Sequence, residues 1–598
     1  MHISHIDIAI IIVYLLLTLG VGVYQARKIK SSGDYYAGGR KFNKFYLMMH
    51  ALGTASHADE PVSVIGGAYE KGLSGIWYTY LYLPLTPIFW LIAPFVRRSR
   101  FVTMADFFRT RYDENLGTLY SVVGVLKMAV AMSVVLKGTE QIFTSLTGNV
   151  IDPRWAILAM TVIFVIYGFA GGLRATVVTE TIQGPLIVVM SIALLPFGLY
   201  AVGGFKGLHA ALAHRPEMFN LTASGFEFTP GWIFAASLTA LIGWVAQPGI
   251  VAAVGSGKTE LEGRVGYTYG TMIKRFCALG WVFTGVVLAG LAVRGDLPAE
   301  QVNDLAQHRE LAFGIGMQRL LPVGVLGIMF AAIFAAQMAT LSAQMVNSSA
   351  LASRNLYKGL FRPQATDREV LLFGRFSGLF LVVLGVLLAF ALERVATALT
   401  MLLSFQSIMG VIVWSGVLWR RANATGAWAA FVTMVVIWLL LGPIGMILHP
   451  QSRAPRPVIA TTTISATSPA VAKATSSTEP PPAWIPTRIG QYGSEKYLAQ
   501  LMVWALPAGV LAMIIGSLAR RRPVPKKVDD FFMLLKTPVG QEQKLIDAGV
   551  NMIYVGSSTP SPLESKYPRL VHWGGFLLAA AICGLILLLL MLLAWIGS

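Results

Sequence analysis

At 598 residues, with 55% hydrophobic and 13% charged side chains, the chain carries about half the charge density of a soluble domain. Apolar runs of about 20 residues recur along its whole length, which identifies an all-α polytopic membrane protein and excludes an ordinary soluble one. The net charge of +18 is therefore assigned to loops that hold one membrane face, not to nucleic-acid binding.

Fourteen spans are expected, at 6–26, 43–70, 74–96, 117–146, 154–172, 178–203, 230–255, 268–294, 315–354, 370–391, 395–418, 424–447, 499–518 and 570–596. The first run, Ile6 to Tyr24, lacks a basic leader and a small-residue cleavage site, so a retained span is expected rather than a signal peptide. Lys and Arg cluster after the first span (Arg27, Lys28, Lys30, Arg40, Lys41, Lys44) and the third (Arg97, Arg98, Arg100). They cluster again after the seventh (Lys258, Arg264), ninth (Arg354, Lys358, Arg362, Arg368), eleventh (Arg420, Arg421) and thirteenth (Arg520 to Arg522, Lys526, Lys527). These odd-numbered exits share one face, and both termini are expected outside.

The second span, NKFYLMMHALGTASHADEPVSVIGGAYEKG from Asn43 to Gly72, is apolar at its ends and polar in its middle. His57, Asp59 and Glu60 stand beside the helix-breaking Pro61. Charges at bilayer depth are costly, and non-helical backbone survives there only inside protein or along a cavity. An interrupted helix is expected, its freed carbonyls and polar side chains lining a solute or ion site. The seventh span repeats the pattern, with Gly243, Trp244, Gln247, Pro248 and Gly249 at its centre. Paired interruptions in two halves of a chain point to a transporter site near the midplane.

GSGKTE at 255–260 is not a phosphate loop: Ala252 stands where that motif needs glycine, and an apolar span precedes it instead of a strand. The ninth span is unusually polar, with Gln337, Thr340, Ser342, Gln344, Asn347 and Ser348. Its hydroxyls and carbonyls are hard donors suited to an alkali cation, or else interhelical packing groups. Arg174, Glu180 and Gln183 follow the fifth span, and Glu180 is a candidate for an ion path or for a pair with a basic loop. Pro450 to Ala499, rich in Thr, Ser and Pro, is expected to be disordered and outside. VDDFFMLLK in the inner loop reads as a short amphipathic helix lying along the membrane surface. Cys277 and Cys583 fall in apolar runs and imply neither a disulfide nor a metal site. No HExxH, His/Cys cluster, nucleophile elbow or dinucleotide fingerprint appears, so no enzyme is expected.

Five stretches together resemble the sodium:solute symporter family, which includes sodium/proline and sodium/glucose cotransporters. They are YGFAGGLRATVVTETIQ (Tyr167 to Gln183), GWVAQPGIVAAVGSGKTELEGR (Gly243 to Arg264), AAQMATLSAQMVNSSALASRNLYK (Ala335 to Lys358), LWRRANATGAW (Leu418 to Trp428) and VDDFFMLLKTPVG (Val528 to Gly540). The resemblance implies a core of two inverted five-helix repeats, at 43–203 and 230–420, each opening on a broken helix. Around that core it leaves a first helix and basic loop at 1–42 and an outer loop at 204–229. Accessory helices then fall at 421–449 and 499–518, the Thr/Ser/Pro-rich outer loop at 450–498, the inner loop at 519–569 and a last helix at 570–598.

By the same resemblance, sodium is the coupling ion, held by Gly53 and Ser56 carbonyls, the Ala336 carbonyl and the Thr340 hydroxyl. A neighbouring family hydroxyl falls on Ala339, and the acid after the Gly-Gly-Leu signature is Glu180. His57, Glu60, Trp244 and Gln247 are the expected solute contacts. The implied activity is symport of a small polar organic solute across the plasma membrane. A proton remains an alternative coupling ion, and a transporter-like solute sensor is the alternative of a different class.

Overall fold

The computed structural model describes residues 4–57, 59–147, 152–223, 228–391, 395–441, 495–520 and 523–597. Among these residues every regular element is helical, apart from one isolated parallel bridge between Phe42 and Gly257. The helices that frame the site, numbered in chain order, are α1 (His5–Ala26), α2 (Lys44–Ala55), α3 (Asp59–Lys71), α4 (Thr86–Arg98), α5 (Glu114–Thr147) and α6 (Pro153–Ile192). They continue as α7 (Pro230–Trp244), α8 (Ile250–Gly255), α9 (Glu260–Arg294), α10 (Val325–Ala350), α11 (Asp367–Ala391) and α12 (Val395–Leu418). The last are α13 (Ala424–Leu441), α14 (Glu495–Ala519), α15 (Lys526–Lys536) and α16 (Gly575–Trp595).

Eight helices among the described residues are long and apolar enough to cross a membrane, joined by three shorter apolar ones. The difference from fourteen expected spans has local causes. The expected span 43–70 is split between α2 and α3, and the expected span 74–96 is interrupted ahead of α4. The expected fifth and sixth spans form a single run, α6, that turns at Gly172. There φ is 51° and ψ −146°, a conformation open to glycine and closed to residues with a Cβ. A methyl group on Gly172 would also come within 2.6 Å of the Tyr35 ring and carbonyl. Gly172→Ala is therefore expected to cut the yield of folded, monodisperse protein sharply; a wild-type elution profile and melting temperature would contradict that assignment.

Buried polar groups at the termini tie the helices together. Ser4 caps α1 in a box with Asp7, and Asp7 also accepts from the backbone N–H groups of Gly324 and Gly327, both at 2.8 Å. The first acid of the chain thus satisfies orphan donors where α10 begins. α9 runs beside both α2 and α3, and α10 packs on α6, α1 and α2. The segment between α14 and α16 folds onto the protein rather than lying apart from it. In α15 the apolar residues Val528, Phe531 and Leu534 are buried, with the Phe531 ring 5.6 Å from that of Phe107. The face expected to rest on lipid is therefore spent on protein. Arg100 clamps the segment just after α15, donating to the Thr537 and Pro538 carbonyls at 3.0 Å and to Glu542 at 2.8 Å. Of the stretch Pro450 to Ala499 expected to be disordered, residues 450–494 lie outside the described residues, while its last five residues are helical and open α14.

Candidate functional site

The first interruption is where its residues put it. α2 ends at Ala55, Ser56 leaves the helix at φ −116° and ψ 73°, and α3 restarts at Asp59. Pro61 stands at the third position of α3, in the first turn, where a missing N–H removes no intrahelical bond. The second interruption separates α7 from α8. Its turn is closed by N–H bonds from Ala246 to the Gly243 carbonyl and from Gln247 to the Trp244 carbonyl, both 3.1 Å.

Helices α5 and α10 touch both breaks, as does α9 through Lys274 at the first and Tyr267 at the second. On α10, the Thr340 hydroxyl donates to the Gly53 carbonyl at 3.2 Å, and Asn347 lies against Gly249. The two residues are seven apart, hence on one face of the helix and about 10 Å from each other along it. On α5, Gly138 lies against Asp59, and the Tyr120 hydroxyl donates to the Ala246 carbonyl at 2.7 Å.

Around Gly53 the donors are hard oxygens. Gly53 is closely packed: a Cβ there would stand 3.1 Å from the Ala339 Cβ and 3.2 Å from the Glu180 Cγ. The Ser56 hydroxyl is buried and has no hydrogen-bond partner among the described residues. Ala336 lies fully buried one turn before Thr340. An orphaned hydroxyl beside a broken helix end is the chemistry an alkali cation would satisfy. Glu180 is fully buried at the same place, bonded at 2.5 Å to His50 Nδ1 through one oxygen, while its Oε1 has no partner among the described residues. The structure therefore brings Gly53, Thr340 and Glu180 together.

The expected solute contacts divide into two groups. In the first break His57 pairs with Asp59 at 2.5 Å, and Glu60 faces Lys274 of α9. The lysine Nζ lies 2.5 Å from Glu60 Oε2 and 2.6 Å from Oε1, and it also donates to the Ala55 carbonyl. In the second break Trp244 is buried, stacked on Phe89 with centroids 3.9 Å apart, its Nε1–H donating to the Tyr267 hydroxyl at 2.7 Å. Gln247 is half-buried in the turn.

Lys274 and His50 escaped the sequence reading. The signal for the lysine was present: Lys274 and Arg275 interrupt the expected span 268–294 as conspicuously as the acids interrupt the second. His50 had no such flag, because a lone histidine in an apolar run reads equally well as a packed one. Arg275 donates to the Thr79 carbonyl and hydroxyl, both at 2.9 Å, which fixes α9 beside the chain leading to α4.

Comparison with known proteins adds the class. The sequence profile described as the sodium:solute symporter family matches residues 35–435. The chain is 28% identical to the sodium/pantothenate symporter of Haemophilus influenzae, over 73% of this chain and 90% of that protein. It is 26% identical to the osmoregulated proline transporter of Bacillus subtilis, over 72% and 88%. Among solved structures, a Na+-coupled sialic acid symporter in a substrate-bound outward-open state superposes with a TM-score of 0.69 at 18% identity. That superposition covers 87% of this chain and 99% of the other, and it shows a shared fold. The relatives are transporters, not enzymes. Matched over most of its length, the chain belongs to the sodium:solute symporter family.

Proposed function

We propose that this protein is a sodium-coupled symporter that moves a small polar organic solute inward by alternating access. The observation that carries the reading is the Thr340 hydroxyl on the Gly53 carbonyl, beside the unpartnered Ser56 hydroxyl, where the first broken helix ends. Gly53, Ser56, Ala336 and Thr340 hold the sodium ion. His57, Glu60, Trp244 and Gln247 meet the solute, and Glu180 lines a second ion path. The two breaks open two inverted five-helix repeats within fourteen spans, with both termini outside. Contact of α5 and α10 with both breaks supports coupling between the ion and the solute, because either helix then feels the occupancy of both.

The test is uptake into proteoliposomes at fixed pH, with and without an inward sodium gradient. Pantothenate, proline, myo-inositol and glucose, named for relatives, form the first solute panel, chosen after a thermal-shift screen, since ligands of the folded state stabilise it. Uptake driven equally by a proton gradient without sodium would overturn sodium coupling. Ala339→Ser restores a hydroxyl beside Gly53 and is expected to lower the apparent sodium constant several-fold, measured as the sodium dependence of uptake; a raised constant would remove position 339 from the site.

A further inference from the structure

The first break holds a second set of hard oxygens, and it is already filled from within the chain. Ala55 closes α2, so its carbonyl is among the orphan acceptors at a helix C-terminus, where the helix dipole is negative. Glu60, in the first turn of α3, presents a carboxylate to the same point. A carbonyl and a carboxylate converging at the interruption of a span are hard oxygen donors suited to a monovalent cation. The group that meets them is the Lys274 ammonium, with Nζ within 2.6 Å of both Glu60 oxygens and bonded to the Ala55 carbonyl. Its side chain is only 6% exposed and that of Glu60 20%, so bulk water does not serve either charge well.

We propose that Lys274 is a tethered cation occupying a second alkali-ion site, built from the Ala55 carbonyl and the Glu60 carboxylate, so that no free ion binds there. This site stands on residues separate from Gly53, Ser56, Ala336 and Thr340 and goes beyond the sodium site proposed above. The Gly53 and Ala55 carbonyls belong to the same last turn of α2, so one half-helix end faces a free ion at one carbonyl and a fixed ammonium at the other. Each transport cycle then carries one fewer ion than the oxygen donors would otherwise hold. The fixed charge also keeps the carboxylate of Glu60 compensated while the free site is empty, when an unpaired buried carboxylate would be costly.

Removing the ammonium leaves a buried carboxylate and an orphan carbonyl, whose unmade interactions cost the protein free energy unless another cation enters. The experiment is equilibrium binding of radioactive sodium to purified full-length protein in detergent, without solute. Lys274→Gln and, as a second variant with an oxygen donor, Lys274→Thr are each expected to bind one more sodium ion per protein than the wild type. Lys274→Gln combined with Glu60→Gln is expected to return to the wild-type number. Variants that fold only when purified in sodium rather than choline would be the same result by another route. A folded variant with an unchanged sodium count, or misfolding that sodium does not rescue, overturns the proposal. A wild type that binds no sodium while Lys274→Gln binds one would sustain the tethered cation and remove the Gly53–Thr340 site instead.

Discussion

Thr340→Ala is expected to raise the sodium concentration for half-maximal uptake by about ten- to a hundred-fold. The estimate rests on the loss of one bond to a charged partner, about 1.5 to 3 kcal/mol, with each 1.4 kcal/mol worth tenfold. Thr340 is 2% exposed, and its hydroxyl reaches the Gly53 carbonyl at 3.2 Å, so the substitution removes an oxygen from the broken end of α2. It also removes the buried γ-methyl, a loss the serine variant below shares, so the comparison of the two isolates the hydroxyl. Solute affinity at saturating sodium should change much less, which separates a cation ligand from a residue that merely shapes the hollow. Thr340→Ser keeps the hydroxyl and should restore most of the sodium affinity. Sodium dependence of uptake in proteoliposomes gives all three values, and an unaltered half-maximal concentration in the alanine variant would take Thr340 out of the site.

How much of this was legible in the sequence depended on whether the relevant physics is local. The break at Ser56 was legible because Gly53, His57, Asp59, Glu60 and Pro61 are crowded within nine residues of an apolar span, and each objects to helix or to lipid. The turn at Gly172 was legible as an end between two spans, but its geometry depends on Tyr35, more than a hundred residues away. The partners of the charged groups were not legible. Glu60 meets Lys274 from α9, Glu180 meets His50 from α2, and Asp7 meets the start of α10. Each is set by how helices distant in sequence lie against one another, which periodicity does not encode. The docking of α15 failed for the same reason: VDDFFMLLK fixes an amphipathic helix, and only the position of Phe107 decides what its apolar face covers.

The second large effect concerns Glu60 and Lys274 as a unit. In sodium-free buffer, Lys274→Met and Glu60→Gln are each expected to destabilise the protein, because either change leaves one member of a buried pair uncompensated. Breaking such a pair costs about 3 to 5 kcal/mol, and the 20% exposure of Glu60 favours the lower end. The double variant is expected to be more stable than either single one, since a glutamine and a methionine leave no buried charge behind. Non-additivity of this sign is what a direct contact produces, whereas distant independent sites add. Melting of the four proteins in choline gives the cycle, and strictly additive losses would show that the two side chains do not share one charge environment. Uptake should separate stability from function. If Glu60 also meets solute, the stable double variant remains transport-deficient even at saturating sodium; wild-type uptake by it would confine Glu60 to holding the lysine.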